Sequence, residues 1–208
     1  MTVLRKYWIQ STLIVVVLAA LVAALTVVPG TAAASNDGIT FVESTVTTDT
    51  TWTPEDGPYR VIQDVRIEPG ATLTIEPGTE VQLAEDVSLS VHGSLYSNGT
   101  ATRPVTVVQT RGASSELRWS SIRYEGTSTS QLTVRNTTIR EGTSGITVAS
   151  SEGSITITDS TFADLSTAAV AVDDITSTPE IAVARSTFHD IEGHAVRASP
   201  SFGATESV

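Results

Sequence analysis

The chain has 208 residues, 40% of them hydrophobic and only 5% aromatic, which suits one domain with a real core but few large aromatic anchors. Acidic residues outnumber basic ones 23 to 12, for a net charge of -11, so no basic stripe can track phosphates and nucleic acid is not an expected partner. With no cysteine and three histidines, disulfide scaffolds, thiol catalysis and Cys-based zinc or iron–sulfur sites are excluded, and only a sparse His site remains.

Arg5 and Lys6 precede an uncharged apolar run over residues 13–28, followed by Pro29, Gly30 and small residues to Ala34. That order is a secretory signal peptide over residues 1–34. Its apolar run is shorter than the ~20 residues that span a bilayer. Ala32 and Ala34 form an A-x-A site, with cleavage between Ala34 and Ser35. Left uncleaved, the segment would be an N-terminal anchor lengthened by Trp8 and Ile9, and this is the one route to a membrane. Either way the remainder is extracytoplasmic, secreted or at the cell surface.

Cleavage takes Arg5 and Lys6 out of the 12 basic residues and none of the 23 acidic ones, and Lys6 is the sole lysine. The remaining acidic, hydroxyl-rich, lysine-free surface resembles that of exported haloarchaeal-type surface proteins. A dense carboxylate surface stays soluble where high salt screens its self-repulsion, and destabilises the fold where salt is dilute. An ordinary acidic secreted protein is the alternative.

After residue 35 there is no helical period, only short β-branched runs separated by Gly, Ser, Asp and Pro. Residues 35–58, with Trp52 and Pro54, read as an N-terminal capping segment. Strands follow within 59–67, 70–81, 88–95 and 104–108, with tight turns at Pro69-Gly70 and Pro77-Gly78, where Pro fixes φ and Gly accepts positive φ.

Further on a repeat emerges, with a period in the low to middle twenties. Residues 132–134, 155–157 and 181–183 recur in phase. So do Asn-Thr-Thr-Ile (136–139), Asp-Ser-Thr-Phe (159–162) and Arg-Ser-Thr-Phe (185–188), and then Ile146, Val170 and Val196. Three short strands per repeat describe a right-handed, single-stranded parallel β-helix over residues 59–198, in about six to seven coils of roughly 22–26 residues. The inward columns are Leu132–Ile155–Ile181, Ile139–Phe162–Phe188 and Ile146–Val170–Val196. A meander sandwich, the other all-β solution, does not require the same residue types at the same phase of three successive repeats.

Gly70-Ala-Thr-Leu-Thr-Ile-Glu-Pro-Gly-Thr-Glu-Val81, then Leu89-Ser-Val-His-Gly93 and Asn98-Gly-Thr100, resemble the opening coils of right-handed β-helix proteins of the pectate-lyase-like superfamily. The Asp159-Ser-Thr-Phe162 repeats are similar to their internal coils. The resemblance covers about residues 40–198 and implies the fold. For function it implies a polysaccharide lyase or hydrolase, whose groove is lined by outward side chains, or a surface protein without known activity.

The outward positions of the repeat are mostly Thr, Ala and Arg, with no convergent acid/base set. One column carries chemistry. Glu141, Asp164 and Asp190 share a phase just after the second strand, where stacked carboxylates can recruit Ca²⁺ or act as a pair in glycoside hydrolysis. The alternative is three solvated corner residues. His189, beside Asp190, and Arg140 complete the candidate catalytic set. Apart from Ca²⁺, no cofactor is expected.

Two glycosylation sequons are present, Asn98-Gly-Thr100 and Asn136-Thr-Thr138. An open β-helix also leaves an unpaired edge coil at each end. Beyond Ala198 the tail 199–208 offers Phe202 as a cover; alternatively two subunits meet end to end as a homo-oligomer, or the chain is part of a longer architecture. The expected function is an exported, surface-associated β-helix acting as a structural or carbohydrate-binding element on extracellular polysaccharide or other cell-surface components. The alternatives are a polysaccharide lyase or glycoside hydrolase, and an end-to-end assembly unit of a cell-surface layer.

Overall fold

The computed structural model describes residues 38–110, 112, 117–150, 152–173 and 179–198. The expected signal peptide over residues 1–34, its expected cleavage between Ala34 and Ser35, and the tail with Phe202 lie outside them. Among the described residues no helix is long and apolar enough to cross a membrane.

The β-branched runs form short strands because their alternating side chains fit a pleated, half-buried surface. In chain order they begin with β1 (Thr40–Val42), β2 (Thr50–Trp52), β3 (Tyr59–Val61), β4 (Val65–Ile67), β5 (Thr72–Ile75) and β6 (Glu80–Leu83). The middle coils hold β7 (Leu89–Val91), β8 (Ser94–Asn98), β9 (Val105–Gln109), β10 (Ile122–Tyr124), β11 (Gln131–Arg135), β12 (Thr137–Arg140) and β13 (Ser144–Val148). The last are β14 (Ser154–Thr158), β15 (Thr161–Leu165), β16 (Ala168–Val172), β17 (Glu180–Ala184), β18 (Thr187–Ile191) and β19 (His194–Ala198).

No two consecutive strands pair with each other. Each pairs with strands one coil away, always in parallel, giving three sheets of seven, six and six strands. Sheet I runs β1-β3-β6-β9-β12-β15-β18, sheet II β4-β7-β10-β13-β16-β19, and sheet III β2-β5-β8-β11-β14-β17. The result is a right-handed parallel β-helix of about six turns, with neighbouring strands ~4.8 Å apart.

The pairing register makes each expected inward column real. Leu132 faces Ile155 and then Ile181, Ile139 faces Phe162 and then Phe188, and Ile146 faces Val170 and then Val196. Leu132, Ile139, Ile146, Ile155 and Phe162 are wholly buried, and burying such a side chain is worth roughly 1.5–3 kcal/mol. The rings of Phe162 and Phe188 stack with centroids 5.4 Å apart. At the corner joining sheets III and I, buried hydroxyls complete the pairing. Ser97 Oγ and Thr137 Oγ1 lie 2.7 Å apart, the Thr137 amide donates to Ser160 Oγ, and that hydroxyl donates to Thr158 O.

Two features differ from the sequence expectation. Residues 40–52, read as the entry or cap, supply β1 and β2, which pair with β3 and β5 and so extend the stack beyond the expected start at residue 59. A coil through Trp119 and β10, not seen as a rung, also fills the middle of the stack. Trp119 and Tyr124 are 0% exposed, and the Trp119 indole donates to Arg140 O at 2.9 Å. At the far end the last coil is open: Val183 is 40% and Val196 56% exposed.

Candidate functional site

On the outer face of sheet II two neighbouring columns run along the helix. Arg66, Ser90, Arg123, Thr147, Ala171 and Arg197 occupy one phase by strand register. Two residues on, Glu68, His92, Glu125, Ala149 and Asp173 occupy another. Each of these five donates its backbone N–H to the preceding coil in the same way, Glu125 N to Val91 O and Asp173 N to Val148 O being two of the five bonds. Side chains at i and i+2 of a strand leave the same face, so Arg66 with Glu68, and Arg123 with Glu125, project outward together.

Glu125 is the centre of the group. One of its oxygens meets His92 Nε2 at 3.0 Å and the other meets Arg123 Nε at 3.1 Å. The same guanidinium reaches across β13, over the column that holds Thr147 and Ala149, to Asp173 Oδ2 at 3.2 Å. Four side chains from three coils are thereby ordered on one face, and Arg66 pairs with Glu68 at 3.2 Å beyond them. Burial works against the Arg123 charge, but the hydrogen bonds and negative charges of Glu125 and Asp173 outweigh it and raise its pKa.

The side chains of His92 and Glu125 are 21% and 30% exposed, so this surface is reachable yet partly ordered. It offers guanidinium and imidazole donors beside carboxylate acceptors, the complement of a row of hydroxyls.

The carboxylate column expected from the sequence stands in phase. Glu141, Asp164 and Asp190 all take positive φ, at 62, 51 and 52°. The left-handed conformation bends the chain just after β12 and near the ends of β15 and β18, and Asp tolerates it well. Backbone geometry thus accounts for the two Asp residues and leaves the choice of Glu at 141 unexplained. Their polar partners differ from coil to coil. Glu141 pairs with Arg140, Asp190 with His189 Nδ1 at 2.7 Å, and the backbone carbonyl of Asp164 accepts from Arg118. Among the described residues no group of three His, Asp or Glu side chains is placed to hold a metal ion. A groove of 480 Å³ lined by Glu85, Asp86, Arg118 and Glu192, among others, lies on the corner after this column.

The sequons occupy the corner between sheets III and I. Asn98 is exposed at the end of β8. Asn136 heads the turn column Asn136, Asp159, Arg185, whose members take φ of 43, 53 and 49°.

The sequence reading gave no functional role to His92, Arg123 and Glu125, and took Asp173 as part of a solvated bend. The signal was present as Arg66-Ile-Glu68 and Arg123-Tyr-Glu125, the same Arg-x-Glu pair at the same phase of two coils. The long stretch of sequence between β9 and β10 hid that phase. Compared with known proteins, the chain matches no family model, no curated protein and no solved structure.

Proposed function

We propose that this β-helix is an exported, surface-associated protein that binds an extracellular polysaccharide along the outer face of sheet II. The observation that carries the reading is the shared carboxylate of Glu125, which fixes His92 on one side and Arg123 on the other while Asp173 holds the far end of the guanidinium. Side chains ordered before the ligand arrives lose less entropy on binding. Thr133, Thr156 and Ala182 on the outer face of sheet III offer no comparable group. The leader-like segment and the acidic, lysine-poor composition belong to the same reading, as does the resemblance to pectate-lyase-like β-helices.

The test is retention of the full chain, in multimolar salt, on immobilised neutral and acidic polysaccharides, with parallel assays for new reducing or unsaturated sugar ends. Retention without new ends supports a binding element. New ends that vanish when Glu141, Asp164 and Asp190 are replaced would establish the rival lyase or hydrolase. Neither retention nor new ends would refute both.

A second reading, an end-to-end assembly unit, draws on the open last coil. Its exposed Val183 and Val196 lie where, among the described residues, β17, β18 and β19 end the three sheets, and β1, β2 and β4 end the same sheets at the opposite end. A second copy stacked head to tail would continue each sheet in its own parallel sense. A monomer by light scattering, at high protein concentration and high salt, would count against it.

A further inference from the structure

We propose that Asn98 is the N-glycosylated residue of this chain and that Asn136, the second sequon, is a structural asparagine that stays bare. The two lie on one corner a single coil apart, since Asn98 pairs with Arg135, the residue before Asn136. Their surroundings are opposite in character.

Asn136 is engaged at its N–H, its C=O and its side-chain Nδ2. Its N–H donates to Thr158 O at 3.1 Å, its C=O accepts from Val105 N at 3.1 Å, and its side-chain Nδ2 donates to Gly99 O at 3.4 Å. The backbone is held at a φ of 43°, a conformation that Asn tolerates better than most residues. The backbones pack closely here: a Cβ on Gly99 would lie 2.0 Å from the Asn136 carbonyl oxygen. Asn136 is thus wedged between Gly99 on one side and Asp159 on the other, and its identity is explained by the turn.

Asn98 pairs through its backbone as part of β8, but its side chain has no such tie. It ends β8 exposed, and its side-chain amide has no hydrogen-bond partner among the described residues. The chain then leaves the sheet in a tight turn. The Thr100 amide donates to Arg103 O at 3.0 Å, and the Arg103 amide donates to Thr100 Oγ1 at 3.1 Å, so the sequon hydroxyl is held in place on the surface. Residues 100–104 are exposed throughout, which leaves a transferase clear access.

In the transfer, Asn98 Nδ2 attacks the anomeric carbon of a polyprenyl-phosphate-linked oligosaccharide. An N–C glycosidic bond forms, the C–O bond to phosphate breaks, the lipid phosphate leaves, and the amide proton passes to a base of the transferase. The glycan would stand on a corner that sheet II does not border, leaving the Arg123–Glu125 face free.

This inference rests on the export part of the proposed function, because the transfer takes place outside the cytoplasm. The full chain is expressed in its source cell, recovered by fraction, and measured by intact mass and peptide mapping, together with Asn98→Gln, Thr100→Ser and Asn136→Asp variants. Asn136→Asp removes the second sequon while keeping a residue suited to positive φ. The expected result is one glycan mass on the exported chain, lost completely in Asn98→Gln and retained in Thr100→Ser and Asn136→Asp. An exported chain of bare polypeptide mass, or a glycan mapped to Asn136, would overturn the assignment with export intact. A chain found only in the cytoplasm would overturn export and the assignment together.

Discussion

Arg185 lies one coil beyond Asp159 and takes both oxygens of its carboxylate, Nε to Oδ1 at 2.7 Å and Nη2 to Oδ2 at 2.8 Å. Both residues sit at positive φ in the same turn column, so the pair ties two successive coils at a point where the backbone bends.

That pair sets a pH dependence. The hydrogen bonds from Arg185 hold the Asp159 carboxyl below its ordinary 3.8, and the charges of Arg185 and Arg135 add to the effect. A depressed folded-state pKa contributes stability that is present above the unfolded value and lost as pH falls through the folded one. Asp159→Asn keeps a residue suited to positive φ and removes the charge. The expected difference in melting temperature between parent and variant is small, because the pair is exposed, and constant from neutral pH down to about 4. Below that it shrinks. A difference that stays constant, or widens, down to about pH 2 would contradict the assignment.

Core position decides the cost of losing an aromatic ring. Phe162 is wholly buried between coils, whereas Phe188 of the open last coil is only partly buried. Phe162→Ala is expected to cost about 3–5 kcal/mol, and Phe188→Ala clearly less. Denaturant midpoints of the two variants check this; equal midpoints would mean that the last coil is covered as fully as the middle ones.

Salt separates the halophilic reading from the ordinary acidic one. With 23 acidic against 12 basic residues, screening relieves more repulsion than attraction. The melting temperature is expected to rise steadily from dilute buffer to multimolar salt, and a flat or falling curve would favour an ordinary acidic secreted protein.

The inward columns were legible in the sequence because a β-helix demands the same residue class at the same phase of every coil. Ile139, Phe162 and Phe188 declare themselves by spacing alone. The turn column Asn136, Asp159, Arg185 was equally visible. The coil through Trp119 and β10 was not, since the longer spacing from β9 breaks the count, and Trp119 finds its partner, the Arg140 carbonyl, only in three dimensions. The sheet II group was missed for a related reason. His92, Glu125 and Asp173 come from separate coils, and the reach of Arg123 over β13 depends on side-chain length, which a repeat in residue type does not encode.

The most direct measurement is affinity for whichever polysaccharide retains the full chain, comparing Arg123→Ala and Glu125→Gln on sheet II with Thr133→Ala and Thr156→Ala on sheet III. Losing a charged hydrogen bond at the binding face is expected to weaken binding about tenfold or more. The sheet III variants should bind as the parent does, and all four should melt close to it. Unchanged affinity in both sheet II variants, or an equal loss on sheet III, would contradict a binding face at Glu125.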